Sequence, residues 1–205
     1  MLKLEGTDMT LANPTQQNAN RGYLRHRVTL EEFEALYVEN PMFRERRFEL
    51  LEGEIYEMTP AEGEQVGDEY INGLNGLNTE LVLKLNTLAV IGNQIPVRLP
   101  ETDTRPIPDF TIMPKSRYGR GVPTASQVSV VIEVSFSTLE QDRTLKSRLY
   151  AQSGLPEYWI LNTQRNQLEV YREPDGEAYR VKMTLSVGEM VSPLEFPEVQ
   201  IEWWV

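Results

Sequence analysis

The composition of this chain restricts the chemistry that it can carry out. With 205 residues and a hydrophobic fraction of 40%, it is long enough for one sizeable core and short for two domains. It has no cysteine and a single histidine, His26. This excludes disulfides and thiolate metal sites, and it nearly excludes histidine-rich zinc sites and Ser-His-Asp triads. The net charge of −11 disfavours general nucleic-acid binding, because affinity for phosphate is mainly electrostatic. Catalysis is therefore expected to use carboxylates and lysine.

The first residues differ in composition from the rest of the chain. Residues 1–22 are rich in Thr, Asn and Gln without sustained periodicity, so we expect a disordered tail followed by one domain over residues 23–205. No apolar run approaches the length of a membrane span, and the N-terminus does not resemble a signal peptide. We therefore expect a cytoplasmic protein without a membrane partner.

Helix and strand signals alternate along the chain. Thr29 and Glu32 have the spacing of a capping box, which predicts a short helix that ends before Pro41. Residues 48–58 predict a hairpin that turns at Glu52 and Gly53. A helix is predicted over residues 65–87 from the spacing of its apolar positions. Further strands are predicted over residues 89–99, 157–161, 167–172, 179–185 and 199–205.

The centre of the chain contains a charged residue in an apolar run. Residues 128–134 are mostly β-branched and predict a fully buried strand, with Glu133 inside it. A buried carboxylate costs several kcal/mol unless it is paired, protonated or bound to a metal. Three candidates could be its partner, namely Asp109 upstream and Asp142 and Lys146 downstream.

Strand and helix periodicity both favour convergence of these groups. Glu133 shares its strand face with Val131 and Ser135, and Asp109 lies in a second apolar segment. After the strand, Ser137 is expected to cap a helix that ends at Gly154. Asp142, Lys146 and Tyr150 follow at i, i+4 and i+8, so they form one polar stripe along that helix.

The ordered motifs of the chain resemble those of the PD-(D/E)XK nuclease superfamily, and more closely those of its bacterial restriction-endonuclease-like branch. The matching motifs are Phe48 to Ile55, Pro108-Asp109, Ile132 to Ser135, Lys146-x-x-x-Tyr150 and Gly154 to Trp159. The resemblance covers residues from about 28 to the C-terminus. It implies an α/β (α+β) fold in which a mixed central sheet is flanked by helices and extended by extra C-terminal strands.

The resemblance also implies a site and a reaction. Asp109 and Glu133 would bind one or two Mg²⁺ or Mn²⁺ ions, Lys146 would assist, and Glu49 would be a further site residue, for hydrolysis of DNA phosphodiester bonds. The chain departs from the superfamily at Ser135, where the superfamily motif has lysine, so the resemblance implies that the lysine has moved to Lys146. It also has Gln65-Val66-Gly67 where the family usually carries a histidine.

Other interpretations stay open at this stage. The chain could keep the nuclease fold without turnover and act as a binding or interaction module, which the acidic composition and the absent histidine favour. A glycosidase using two carboxylates is a weaker alternative, since it would need an aromatic-lined cleft. Lys146 could form only a solvent-exposed salt bridge with Asp142. The basic loop over residues 115–121 could follow a phosphate backbone or simply be solvated.

Cleavage of both strands of a duplex favours a homodimer, because its two-fold symmetry matches that of the duplex. Tyr158, Trp159 and the C-terminal Trp203 and Trp204 are the candidate apolar contacts.

Overall fold

The computed structural model describes residues 24–58 and 68–202. The predicted tail over residues 1–22, the Gln65-Val66-Gly67 segment and the two C-terminal tryptophans lie outside the described residues. Among the described helices, none is both long and apolar enough to cross a lipid bilayer.

The N-terminal part of the described chain forms two helices and a hairpin. Helix α1 (Leu30–Glu39) begins at the predicted capping box, in which Thr29 Oγ1 accepts a hydrogen bond from the Glu32 amide and the Glu32 carboxylate accepts one from Thr29. Helix α2 (Pro41–Glu45) follows. Strands β1 (Phe48–Leu51) and β2 (Glu54–Glu57) form the predicted hairpin. Its two-residue turn has positive φ at both Glu52 and Gly53, which is the conformation that matches the twist of paired strands.

A six-stranded mixed sheet forms the centre of the fold, in the order β3-β4-β5-β6-β7-β8. Only β5 and β6 are parallel; the other neighbours are antiparallel. The strands are β3 (Ala89–Asn93), β4 (Phe110–Pro114), β5 (Val130–Ser135), β6 (Glu157–Asn162), β7 (Gln167–Asp175) and β8 (Ala178–Ser186). A short pair of strands, β9 (Met190–Val191) and β10 (Ile201–Glu202), lies near the C-terminus. This architecture confirms the predicted mixed sheet with additional C-terminal strands.

Helices cover both faces of the sheet. Helix α3 (Asp68–Leu85) packs Leu77, Leu81 and Leu85 against one face. The opposite face carries a second helical segment, which comprises α4 (Leu139–Gln141), a π-helical turn (Asp142–Lys146) and α5 (Ser147–Gln152). Its contribution to the core includes Tyr150.

Two local predictions are wrong. The strand predicted over residues 89–99 ends at Asn93, because Gln94 adopts a left-handed conformation with φ 49° that ends the extended run. The expected Ser137 cap is also absent: the helix begins after Thr138, whose hydroxyl donates to the carboxylate of Asp142. A backbone turn thus ends the predicted strand early, and a hydrogen bond to Asp142 takes the place of the predicted cap.

The expected dimer contacts need correction as well. Tyr158 and Trp159 lie on β6, and both are fully buried in the core. Neither side chain can therefore form part of an interface without unfolding of the sheet.

Two leucines of α3 give a matched test of this packing. Leu81 is fully buried, whereas Leu83 is 67% exposed. Leu81→Ala should lower the free energy of unfolding by about 2 to 5 kcal/mol, because it leaves a cavity in the core. Leu83→Ala should change it by less than about 0.5 kcal/mol. Urea denaturation of both variants measures the difference, and equal losses would contradict the orientation of α3.

Candidate active site

The pairing of β4 with β5 brings two predicted site residues side by side. The strands are antiparallel, with Phe110 opposite Ile132. Asp109 comes one residue before β4, so the same register places it opposite Glu133, and opposed residues point to the same face of a sheet. The Oδ2 atom of Asp109 accepts a 2.8 Å hydrogen bond from the backbone amide of Val134. This register places the two carboxylates on the same face, and the charge of Asp109 adds to the effect of burial in raising the pKa of Glu133.

Lys146 is the positively charged side chain that contacts Glu133. Its side chain is 9% exposed, and its Nζ lies 3.0 Å from Oε1 of Glu133 and 3.5 Å from Oε1 of Glu49. Asp142 is more distant, with Oδ1 at 3.8 Å from the same nitrogen. The alternative of an exposed salt bridge between Lys146 and Asp142 is therefore wrong, because both side chains are buried and the lysine is shared among three carboxylates.

Backbone and hydroxyl groups hold the carboxylates in place. Tyr150 donates a 2.8 Å hydrogen bond to Oε1 of Glu133, the same atom that Lys146 contacts. Glu49 accepts a 2.6 Å bond from the backbone amide of Ile107 through its Oε1. The polar stripe predicted on the helix thus faces the interior of the protein and meets β5.

Ser135, which stands where the superfamily motif has lysine, has a different role here. Its hydroxyl donates a 2.6 Å hydrogen bond to Oδ2 of Asp142. Thr138 donates to the same oxygen at 2.8 Å, and the hydroxyl of Tyr158 donates to the backbone carbonyl of Asp142 at 3.2 Å. These bonds fix the start of the π-helical turn, which ends at Lys146.

Burial and charge change the pKa of several of these groups. Burial raises the pKa of the Glu133 carboxyl well above 4.5, and the positive charge of Lys146 offsets only part of this effect. Burial also raises the pKa of Asp109, although the hydrogen bond from Val134 opposes the shift. For Lys146, burial would lower the pKa, but the charges of the neighbouring carboxylates outweigh it and raise the pKa above its ordinary value.

Two residues near Asp109 were not expected from the sequence. Gln94 donates a 3.4 Å hydrogen bond from Nε2 to Oδ1 of Asp109. The hydroxyl of Tyr70, on α3, is close enough to Asp109 and Glu133 that burial and their charges raise its pKa to about 12. Periodicity assigned Tyr70 to an apolar helix face and Gln94 to a strand, and neither pattern carries a signal for a site residue.

The basic loop lies away from these groups. Asp109 precedes β4, whereas residues 115–121 follow its far end at Pro114. Within the loop, Arg117 forms a 2.9 Å ion pair with Glu195 and donates to the carbonyl of Ser126. The loop therefore begins at the end of β4 remote from Asp109, and Arg117 uses its charge within the protein.

Within residues 24–58 and 68–202, no group of three or more His, Cys, Asp or Glu side chains has an arrangement that would hold a metal ion by itself. The predicted pair of ligands, Asp109 and Glu133, is smaller than such a group. It could contribute two carboxylates to a site that water and substrate complete, as is usual for Mg²⁺.

Comparison with known proteins identifies relatives of this chain. The family Uma2, described as "Putative restriction endonuclease", matches residues 30–203. Among solved structures, a crystal structure described as "a putative nuclease belonging to DUF820" from Anabaena variabilis is similar, with a TM-score of 0.56 and 18% sequence identity. The similarity covers 85% of this chain and 94% of that one. No curated protein matches the chain. The structural match confirms the fold, and because the family match spans most of the sequence, the chain belongs to the Uma2 family.

Proposed function

We propose that this chain is a Mg²⁺- or Mn²⁺-dependent endonuclease that hydrolyses phosphodiester bonds of DNA. One observation carries the proposal: a buried lysine, Lys146, contacts Glu133, which lies opposite Asp109 on the neighbouring strand. Two carboxylates and a lysine are groups that can bind a divalent cation and stabilise a phosphate undergoing attack. Membership of a family described as "Putative restriction endonuclease" supports the same reaction class.

The charge of the cluster supports the binding of a cation. Among the described residues, three carboxylates contact the ammonium group of Lys146, those of Glu49, Glu133 and Asp142. A fourth, that of Asp109, is near enough for the charge of Lys146 to act on its pKa. Buried negative charge in such excess is unfavourable unless protons or cations neutralise it. The available ligands are all oxygen atoms, which Mg²⁺ and Mn²⁺ prefer. The residues therefore fit a divalent cation.

Each residue then has a defined task. Asp109 and Glu133 would hold the ion, which when bound supplies polarisation of the phosphodiester and a more acidic water molecule. Lys146 orients Glu133 through its hydrogen bond and provides a fixed positive charge for the negative charge that develops on the phosphate. Tyr150 fixes the same carboxylate, and Glu49 contacts Lys146.

The proposal extends to the assembly of the enzyme. A duplex has its two scissile bonds related by a two-fold axis, so a homodimer could cut both strands with two identical sites. Since Tyr158 and Trp159 are buried, such a dimer would have to use other surfaces.

A second candidate function is a binding module that retains the fold without turnover. The net charge of −11 favours it, because an acidic protein repels a phosphate backbone. The two candidates differ in cleavage. A nuclease should cleave DNA in a way that depends on both Mg²⁺ and Lys146, whereas a module without turnover should not cleave DNA at all.

Glu133→Gln tests the excess of negative charge in the metal-free protein. The substitution neutralises one of four carboxylates and keeps the shape, so the melting temperature should be unchanged or higher. Because the pKa of native Glu133 is raised above 4.5, the native wild type loses stability as the pH rises through this raised value. The advantage of the variant should therefore grow as the pH increases above 4.5, as measured by calorimetry in EDTA.

The matched control is Glu169→Gln, at a carboxylate that is equally buried. Arg143, Lys182 and Tyr171 all donate to Glu169. These bonds outweigh burial and lower its pKa to about 2. This variant should lose about 3 kcal/mol of unfolding free energy, as expected when a buried ion pair is broken. If Glu133→Gln loses as much, Glu133 is a structural ion-pair residue and the proposal fails.

Lys146→Met tests the reaction itself. Methionine keeps much of the buried stem and removes the charge, so Mg²⁺-dependent cleavage of a DNA duplex should fall by roughly a hundredfold or more. Lys115→Met, at an exposed lysine, removes the same charge and should cleave like the wild type. Circular dichroism verifies that both variants are folded. Near wild-type cleavage by Lys146→Met would favour the module without turnover.

A further inference from the structure

A chain of hydrogen bonds connects an exposed arginine to the candidate metal ligand. Nη1 of Arg47 donates to Oε1 of Gln94 at 2.9 Å, and Nε2 of Gln94 donates to Oδ1 of Asp109 at 3.4 Å. A single side-chain amide therefore separates the guanidinium group of Arg47 from Asp109. The amide uses its acceptor for the arginine and its donor for the carboxylate, which is the pairing that these charges require.

The backbone holds both ends of this connection. Arg47 immediately precedes β1, and its carbonyl accepts a 2.8 Å hydrogen bond from the amide of Met58. Arg47 lies two residues before Glu49, whose carboxylate contacts Lys146. On the other side, the amide of Gln94 donates a 2.9 Å bond to the carbonyl of Asp109. The position of Arg47 relative to the site is thus set by anchored backbone as well as by the side chain of Gln94.

Arg47 also differs in its partner from eight other arginines of the described part of the chain. Among the described residues it forms no ion pair with a carboxylate, and the contact it makes is to a neutral amide. Many other arginines have their charge compensated by a carboxylate: Arg25, Arg46, Arg98, Arg117, Arg143, Arg148, Arg172 and Arg180. An arginine whose charge is not compensated attracts a phosphate more strongly. A guanidinium group has five N–H donors, so one bond to Gln94 leaves others for a ligand.

We propose that Arg47 binds a backbone phosphate of the DNA substrate beside the bond that is cleaved, and that Gln94 is the positioning residue that aims it. This inference rests on the proposed function, and it explains how so acidic a chain could hold a polyanion next to its carboxylates. The interaction would be independent of base sequence, because it involves only the phosphate backbone.

Arg46 provides a matched control for Arg47. The two arginines are adjacent and both are exposed, but Arg46 is paired with Glu57 at 3.2 Å. Replacement of either by alanine removes one positive charge from the same segment. Only Arg47→Ala should remove a phosphate contact.

The experiment measures binding of a fluorescein-labelled DNA duplex by anisotropy in EDTA over a series of salt concentrations, and cleavage of the same duplex in Mg²⁺. Arg47→Ala should raise the Kd roughly tenfold, as expected for loss of a charged hydrogen bond. It should also reduce the slope of log K against log salt by about 0.9, the contribution of one phosphate contact. Arg46→Ala should leave both quantities close to those of the wild type, and KM in the cleavage assay should follow Kd.

Gln94→Ala separates positioning from direct binding. If Gln94 acts on DNA through Arg47, the double variant Arg47→Ala/Gln94→Ala should bind DNA no more weakly than Arg47→Ala, so the two effects on Kd are not additive. Additive effects would overturn the positioning role of Gln94.

The outcomes also distinguish this inference from the proposed function. If the wild type binds and cleaves the duplex but Arg47→Ala behaves like Arg46→Ala, the phosphate contact is overturned and the nuclease proposal stands. If the wild type neither binds nor cleaves DNA, the nuclease proposal fails and this inference fails with it.

Discussion

The interaction on which the site depends is the burial of one ammonium group against carboxylates from two other parts of the chain. Lys146 comes from the helical segment, Glu133 from the central strand and Glu49 from the hairpin, and all three side chains are more than nine-tenths buried. A buried charge is tolerated only when its partners are close and well oriented. The contacts of Lys146 at 3.0 and 3.5 Å therefore tie the hairpin and the helix to the sheet, and the geometry of the site follows from the same contacts that hold these elements together.

Hydrogen bonds around Lys146 hold the neighbouring side chains in place. Tyr150 shares the Oε1 atom of Glu133 with Lys146, and Ser135 and Thr138 both donate to Asp142. These bonds lie on either side of the π-helical turn, a feature that frequently occurs at functional sites. Such preorganisation favours catalysis, because charges that are already in place need not reorient during the reaction.

The sequence predicts the framework of this site better than its details. A carboxylate inside a β-branched run must find partners, so Glu133 and its neighbours could be identified from local patterns together with a family resemblance. The burial of Lys146 could not be predicted in this way. Asp142, Lys146 and Tyr150 have the same spacing whether the helix face that carries them is solvated or buried. Whether such a stripe faces water depends on the tertiary packing of that helix on β5.

Gln94 illustrates the same limit. Its apolar neighbours continue an alternating pattern, yet a left-handed φ of 49° ends the strand and directs its amide to Asp109. Backbone conformation of this kind is uncommon for a residue other than glycine, and composition does not reveal it. The Ser137 cap failed for a related reason, since Thr138 uses its hydroxyl for the buried Asp142.

The most direct test of the proposed metal site is a calorimetric titration of the protein with Mn²⁺ in the absence of DNA. The wild type should release or absorb heat with a saturable profile, and Asp109→Asn should abolish it while the fold is retained. Asp175→Asn, at an exposed aspartate paired with Arg180, should titrate like the wild type. Equal binding by the wild type and Asp109→Asn would contradict the assignment of Asp109 and Glu133 as the metal ligands.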